Sequence, residues 1–476
     1  MIYRTICGDK VSLLGFGFLR PPMTGGVIDY EQLQQMVDYA IERGVNYFDT
    51  AFVYLGGESE AALGRALQKH DRAKLNIATK ITMNRLLNRE EIASVFDEQL
   101  KRLNTDYIDY YLFHAVCRSN WANFIQSGLY DFLYEKKLKG EVRHIGFSFH
   151  DTPDVLRDVE RQYDWDFAQI QLNYLDWKLQ NAALQYEILA QKSIPIVVME
   201  PVRGGQLARL PDSAKAKLNQ VSKSSGATDA SYAIRWAASL SQVCCVLSGM
   251  SSMAHVRDNI HTMENFKPIT PVEQVAIDET VKRYIALGAI PCTGCGYCAA
   301  ECPKEIAIPH IFSLANDYTF SKDLKGFHIK HGIISDGRRA FDCIKCGKCV
   351  VSCPQKVDIP GEIERIRNKL EEGFAAITKL LRKSESVPIV FYGAGGHMRD
   401  FLRYFYKTEM PFNAEIWDIN AVNIKSIEGI SVMPPDFKTY VTNGTAVIMI
   451  KDFNTVREVR ARLEPLGYTV FHSAIG

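Results

Sequence analysis

Eight of the twelve cysteines fall into two runs of identical spacing, Cys292-x2-Cys295-x2-Cys298-x3-Cys302-Pro303 and Cys343-x2-Cys346-x2-Cys349-x3-Cys353-Pro354. Two-residue gaps let three thiolates wrap three irons of one cubane, while the remote fourth cysteine, its exit helped by the proline, turns away. Two such runs in one chain imply two 4Fe–4S clusters with crossed ligation. One cluster takes Cys292, Cys295, Cys298 and Cys353; the other takes Cys343, Cys346, Cys349 and Cys302. Structural zinc is the alternative for C-x-x-C pairs, but it takes four ligands per ion, needs no third step and leaves the repeated proline without a role. Cys7, Cys117, Cys244 and Cys245 read as buried or incidental thiols.

A second set of reactive groups lies upstream, where short apolar runs end in polar residues: Asp49, Lys80, His114, Ser148, Gln171 and the Ser248-Gly249 pair. Tyr54 follows Asp49 by five residues. Asp49, Tyr54, Lys80 and His114 can together form a proton-donating site. A tyrosine with a pKa of about 10 is a poor acid unless a cation stabilises its phenolate. Lys80 can do this, Asp49 can hold Lys80 in place, and His114 can bind a carbonyl oxygen.

Bringing these groups to one surface demands a scaffold. Apolar runs at 12–16, 46–48, 75–78, 108–113, 144–147, 167–170, 194–199 and 244–247 alternate with helical patterns at 30–42, 58–68, 89–101, 121–139, 153–161, 181–191, 228–239 and 253–262. This rhythm predicts an α/β fold, a (β/α)8 TIM barrel with its functional side chains at the C-terminal ends of the strands. Periodicity alone does not close a barrel, so a doubly wound open sheet is the alternative. Asp29 and Asp151 are expected as helix N-caps, and a further helix is expected over 272–287. The barrel domain is placed at residues 1–288 and a ferredoxin-like domain with two 4Fe–4S clusters at 289–384, ending in a helix over 361–383. The insertion between Cys302 and Cys343 carries His328 and His331, read as surface residues. A linker is expected at 382–386, followed by a small Rossmann-like α/β domain over 385–476.

In that last stretch, Pro388-Ile-Val-Phe-Tyr392 runs directly into Gly393-Ala-Gly-Gly396, and a strand over 414–417 ends at Asp418. A third strand follows over 445–450. The pattern resembles a phosphate loop with an acid placed for a ribose, although Met398 stands at the third glycine position. A tight strand-to-helix turn in a packing domain is the alternative.

The whole chain has 476 residues, 47% hydrophobic and 23% charged, and its 56 Lys+Arg nearly cancel its 55 Asp+Glu. At roughly 100–200 residues per domain, two to four domains are expected. The charge balance argues against a nucleic-acid binder. No apolar stretch approaches the roughly 20 residues of a membrane span, and Met1–Lys10 lack the apolar run of a signal peptide, so a cytoplasmic protein is expected.

The residues upstream of 265 resemble the aldo-keto reductase family. The matching segments are Asn46-Tyr-Phe-Asp-Thr-Ala51, Tyr54-Leu-Gly-Gly-Glu-Ser-Glu60, Ala78-Thr-Lys80, Asp106-Tyr-Ile-Asp-Tyr-Tyr-Leu-Phe-His114, Arg143-His-Ile-Gly-Phe-Ser148, Ile170-Gln-Leu-Asn-Tyr174, Glu200-Pro-Val-Arg-Gly-Gly205 and Ser248-Gly249…Asn259. The resemblance implies a tetrad of Asp49, Tyr54, Lys80 and His114 and hydride transfer between a nicotinamide coenzyme and a small carbonyl or alcohol. It further implies that Ser148 and Gln171 hold the carboxamide, and that Gly249 and Asn259 meet the phosphate and adenine end. Gly204 and Ser248 belong to the same implied coenzyme set. Phe149 replaces the usual Asn after Ser148, and Met199 stands where an aromatic often stacks on the nicotinamide. Ser251 and Ser252 occupy positions where NADP-preferring members often carry a cation. Arg257 is the substitute expected there, and the choice between NADP and NAD stays open.

The cysteine runs are similar to those of bacterial two-cluster ferredoxins. An oxidoreductase is therefore expected, coupling hydride transfer to one-electron steps. A flavin usually converts between the two, but no flavin motif is present; a separate ferredoxin or flavoprotein is the redox partner to consider. The alternative from another class is an electron-transfer or regulatory protein whose barrel binds a ligand without turnover.

Overall fold

Eight short strands pair in parallel in chain order: β1 (Leu14–Gly17), β2 (Tyr47–Asp49), β3 (Asn76–Thr82), β4 (Ile108–Val116), β5 (Val142–Phe149), β6 (Phe167–Gln171), β7 (Ile196–Met199) and β8 (Val243–Ser248). The pairing of Val246 with Leu14 and Ser248 with Phe16 joins β8 to β1 and closes the barrel, which rules out the open sheet. The structure, a computed structural model, describes residues 1–222, 226–332, 334–335, 337–382, 388–407, 414–439, 441, 444–450 and 453–472. The chain divides into two compact units, Met1–Tyr284 and Ile285–Gly476.

Alternate strand residues point into the barrel, as the two-residue period of a strand requires. Tyr47, Ala78, Tyr110, Leu112, Phe167, Val197 and Cys245 form its core, together with Ile6 and Val11 of an N-terminal hairpin. Gly15 makes room for that packing: a Cβ there would lie 2.6 Å from Leu247 and 2.7 Å from the Cys245 sulfur. Asp29 caps the helix Tyr30–Glu42 by accepting the Gln32 N–H. Asp151 does not cap. The N-cap of Pro153–Gln162 is Thr152, and Asp151 accepts the N–H groups of Thr152 and Arg118 instead. The helix expected over 121–139 is broken at Gly128, whose φ of +67° a side chain resists, into Arg118–Gln126 and Leu129–Leu138.

In the second unit, two single-turn helices, Tyr297–Ala300 and Lys348–Val351, begin after Gly296 and Gly347, both with positive φ. The insertion folds as Ile308–Ser321 and Leu324–His331. Its Ile311, Phe312 and Phe327 share a core with Cys298, Cys349 and Cys353, and with Ile363 and Leu370 of the helix Ile359–Arg382. His328 and His331 are buried, at 5% and 1% exposure, and are not surface residues. They stand three apart on one helix, so the same face turns both inward.

The C-terminal strands are β9 (Ile389–Tyr392), β10 (Ala414–Trp417), β11 (Ile430–Met433), β12 (Gly444–Ile448) and β13 (Tyr468–His472). They lie parallel in the order β11-β10-β9-β12-β13, with Ser426–Ile427 antiparallel at the β11 edge. This is the 3-2-1-4-5 order of a doubly wound sheet. The linker expected at 382–386 lies, beyond Arg382, outside the described residues. Asp418 accepts the N–H groups of Ala394 and Asn420, so its carboxylate braces the glycine turn that follows β9.

Candidate functional site

Inward positions at the C-terminal ends of β2, β3 and β4 carry Asp49, Lys80 and His114. Lys80 Nζ donates to both Asp49 oxygens at 2.7 Å and to the Thr50 carbonyl at 2.6 Å, with both side chains buried. Burial drives Lys80 down and Asp49 up from their ordinary pKa values, and the attraction between the two opposes both shifts. Tyr54 opens a 3-10 turn whose next three residues, Leu55, Gly56 and Gly57, all have positive φ. Its ring lies edge-on to His114 at 5.4 Å, and the Lys80 ammonium sits 5.2 Å from its ring centre. Burial, then Lys80 and His150, push His114 well below the usual histidine range, so its imidazole is neutral. Thr82 Oγ1 meets His114 Nδ1 at 2.7 Å.

Three of the non-glycine residues with left-handed backbone lie at this mouth: Leu55 after Tyr54, Ala115 after His114 and Glu200 after Met199. Such conformations cost of order 1–3 kcal/mol each and persist where the surroundings over-determine them.

The expected coenzyme residues occupy the same end of the barrel. Ser148 Oγ accepts the Ala115 N–H at 2.8 Å, and Gln171 Nε2 donates to Asp176 at 2.7 Å. Asp176 also accepts from Asn173 and from Arg203 Nε, the latter at 2.9 Å; Arg203 and Asp176 are both buried. The Gly204 N–H donates to Glu200, and Met199 is met by Gln169 Nε2 at its sulfur. Asn259 Nδ2 donates to Ser248 Oγ at 2.7 Å. Gly249 faces open space where a Cβ would project. These features fit a coenzyme: the Gln171 amide is oriented and the Gly249 backbone is approachable.

Two residues stand differently. Ser251 donates to the Arg20 carbonyl. Arg257 is exposed and lies over the Tyr39 ring at 5.8 Å. At about 100° per residue it points nearly opposite to Asn259 on the helix Met253–Glu264, so the geometry does not group it with Ser248 and Asn259. Asp176 and Arg203 escaped the sequence reading as functional groups, since no local pattern pairs residues 27 positions apart. The signal in the sequence is an acid, Asp176, flanked by Leu175 and Trp177 just after the sixth strand.

In the second unit, the ligand loops bring each fourth cysteine to the other run. The thiol of Cys298 is pushed up to about 12 by burial, then by Cys295, Cys292, Cys353 and Cys349. The thiol of Cys349 is pushed up to about 11 by burial, with contributions from Cys343, Cys302 and Cys346. Cys302 lines one open cavity with Cys343, Cys346 and Cys349. Four thiols of one donor type around each centre fit a 4Fe–4S cluster, and the cavity lining matches the crossed pattern.

The profile described as aldo/keto reductase family matches residues 13–282, and that of a 4Fe-4S dicluster domain matches 291–360. Probable aldo-keto reductase 1 of Glycine max is 32% identical over 214 residues, covering 42% of this chain and 58% of that protein. The match thus spans little more than half of that relative. L-galactose dehydrogenase of Arabidopsis thaliana is 25% identical over 291 residues, 57% of this chain and 88% of its own length. Among solved structures, the holo form of an aldo-keto reductase from Bacillus halodurans is similar with a TM-score of 0.50 at 25% identity, covering 59% of this chain and 96% of that one.

Proposed function

The chain belongs to the aldo/keto reductase family and carries a 4Fe-4S dicluster domain, and from that premise we propose that it transfers hydride between a nicotinamide coenzyme and a small carbonyl or alcohol, coupled to one-electron transfer through two 4Fe–4S clusters. When bound, the nicotinamide supplies the hydride and the clusters accept or give single electrons. The observation that carries the reading is the buried Asp49–Lys80 pair beneath the Tyr54 ring.

In the reducing direction, the carbonyl carbon gains the hydride and Tyr54 gives its phenolic proton to the oxygen. Lys80 is held by Asp49 and the Thr50 carbonyl, so its charge is in place to stabilise the phenolate left behind. His114, kept neutral by burial and oriented by Thr82, hydrogen-bonds the same oxygen. Ser148 and Gln171 hold the carboxamide, with Asp176 fixing the Gln171 amide. Ser248, Gly249 and Asn259 line the phosphate and adenine end; Met199, Gly204 and Ser251 complete the proposed coenzyme set, Arg257 falls outside it because it points nearly opposite to Asn259, and preference for NADP over NAD follows from none of them. The substrates are a small carbonyl or alcohol and, at the clusters, a ferredoxin or flavoprotein partner.

Anaerobic protein is titrated with NADPH and then NADH while the cluster absorbance is followed, and NAD(P)H oxidation is measured with a panel of carbonyls. Turnover with some carbonyl and bleaching of the clusters support the proposal. Coenzyme quenching without turnover overturns it in favour of a ligand-binding barrel.

A further inference from the structure

The short turn Ala340–Asp342 delivers Cys343, the first thiolate of the second run. Its two flanks carry opposite charges, Arg339 before it and Asp342 at its end, and the Asp342 carboxylate accepts the Arg339 N–H at 3.0 Å. Both flanks are gripped by one helix of the C-terminal domain, Gly396–Lys407. Arg339 Nη1 donates to Asp400 at 2.6 Å with both side chains buried, and Arg403 Nη1 donates to Asp342 at 2.8 Å. Asp400 and Arg403 are three apart and so share a helix face, and their charges run opposite to those they meet.

Two further contacts bind the same turn. His331 Nε2 accepts the Ala340 N–H at 3.2 Å, and its Nδ1 faces Asp400 at 3.4 Å. Phe341, in the middle of the turn, packs against the core of the cysteine module and also against the core of the C-terminal sheet. Surface ion pairs contribute little. A buried pair whose breakage leaves a charge uncompensated is a strong and specific constraint.

Resting on the reading of the cysteine runs as cluster ligands, we infer that the C-terminal domain sets the position of the second cluster. Asp400 and Arg403 are positioning residues that hold the Cys343 turn from outside the cysteine module. They act on the cluster ligated by Cys302, Cys343, Cys346 and Cys349, and leave the one ligated by Cys292, Cys295, Cys298 and Cys353 unaffected. The domain therefore acts on the second cluster through the turn that carries Cys343.

The test uses the full chain, purified anaerobically, as wild type, the single variants Asp400→Asn and Arg403→Glu, and the charge-keeping control Arg403→Lys. Potentiometric titrations followed by electron paramagnetic resonance resolve the two clusters, and a chelator reports how fast each loses iron. In the two single variants the second cluster is expected to shift in midpoint potential and to lose iron several-fold faster, with the first cluster at its wild-type values. The control Arg403→Lys, which keeps a cation facing Asp342, holds both readouts near wild type. Unchanged potentials in both single variants, or equal movement of both clusters, overturn the inference. Wild-type protein without two resolved 4Fe–4S signals overturns the cluster reading itself, which is a separate result.

Discussion

Lys80 in the barrel has three short hydrogen bonds to Asp49 and Thr50, made by protein groups alone. The thiols of the second unit are placed differently: Cys346 is exposed, Cys292, Cys295, Cys302 and Cys343 are half-buried on loops, and only Cys298, Cys349 and Cys353 are buried. The barrel site is pre-organised because a closed sheet fixes the direction of each inward side chain. The cysteine sites are pre-placed, and the bonds that would hold them are to be supplied by the metal. Two kinds of site in one chain should therefore fail in different ways.

The largest effect expected is from removing iron. An anaerobic chelator should leave the barrel's unfolding transition and its coenzyme binding in place while the second unit becomes protease-sensitive, because binding free energy there is also folding free energy. Limited proteolysis with mass spectrometry checks this. Cleavage inside residues 1–284 on chelation would break the contrast.

Next comes Tyr54→Phe. Only the transition state needs the phenolic proton, so kcat should fall by about 10²–10⁴-fold with coenzyme affinity almost unchanged. Stopped-flow coenzyme binding and steady-state rates separate the two terms, and wild-type turnover in the variant would remove Tyr54 from the acid role. A smaller and more local effect is expected of Cys302→Ser, which should perturb the cluster of Cys343, Cys346 and Cys349 and spare its neighbour in sequence; Cys353→Ser should do the reverse. Spectra of the reduced variants decide it, damage confined to the adjacent run being the contrary outcome.

The smallest effect is one that both units share. His114 and His328 are buried and neutral, His328 pushed down to about 3 by burial and then by His331. Unfolded histidine titrates at about 6.5, so below that pH the unfolded chain binds a proton that the folded one refuses. Stability is therefore lost as pH falls below 6.5, at no more than about 1.4 kcal/mol per pH unit for each histidine. For His114→Gln, urea unfolding of the barrel at pH 6.5 and 5 should show a loss up to about 2 kcal/mol smaller than wild type. Equal losses would mean that the folded barrel does not depress His114, which would then take up its proton as it does in the unfolded chain.

Much of this was legible from local pattern. The strand–helix rhythm up to residue 265, the polar residues ending β2, β3 and β4, and the paired cysteine runs depend on spacings of a few residues, which the pleat of a strand or the reach of a thiolate around a cubane translates directly into geometry. Asp29 was readable as a cap for the same reason. Gly128 stands in the sequence, yet its helix-breaking φ depends on how the two flanking helices pack, so local pattern predicts one helix where two form.

What only the tertiary structure decided are contacts between residues distant in the chain. Closure of the barrel rests on Val246 meeting Leu14; the orientation of Gln171 rests on Asp176, itself held by Arg203. His328 and His331 looked like surface residues because a polar side chain in an insertion is usually solvated. The Ala340 N–H and Asp400 give His331 polar company in the interior, and these partners lie nine and sixty-nine positions further along the chain. Residue type and spacing carry the chemistry of each group, but a polar residue is buried or exposed according to whether a distant partner satisfies it, and the folded chain alone supplies that partner.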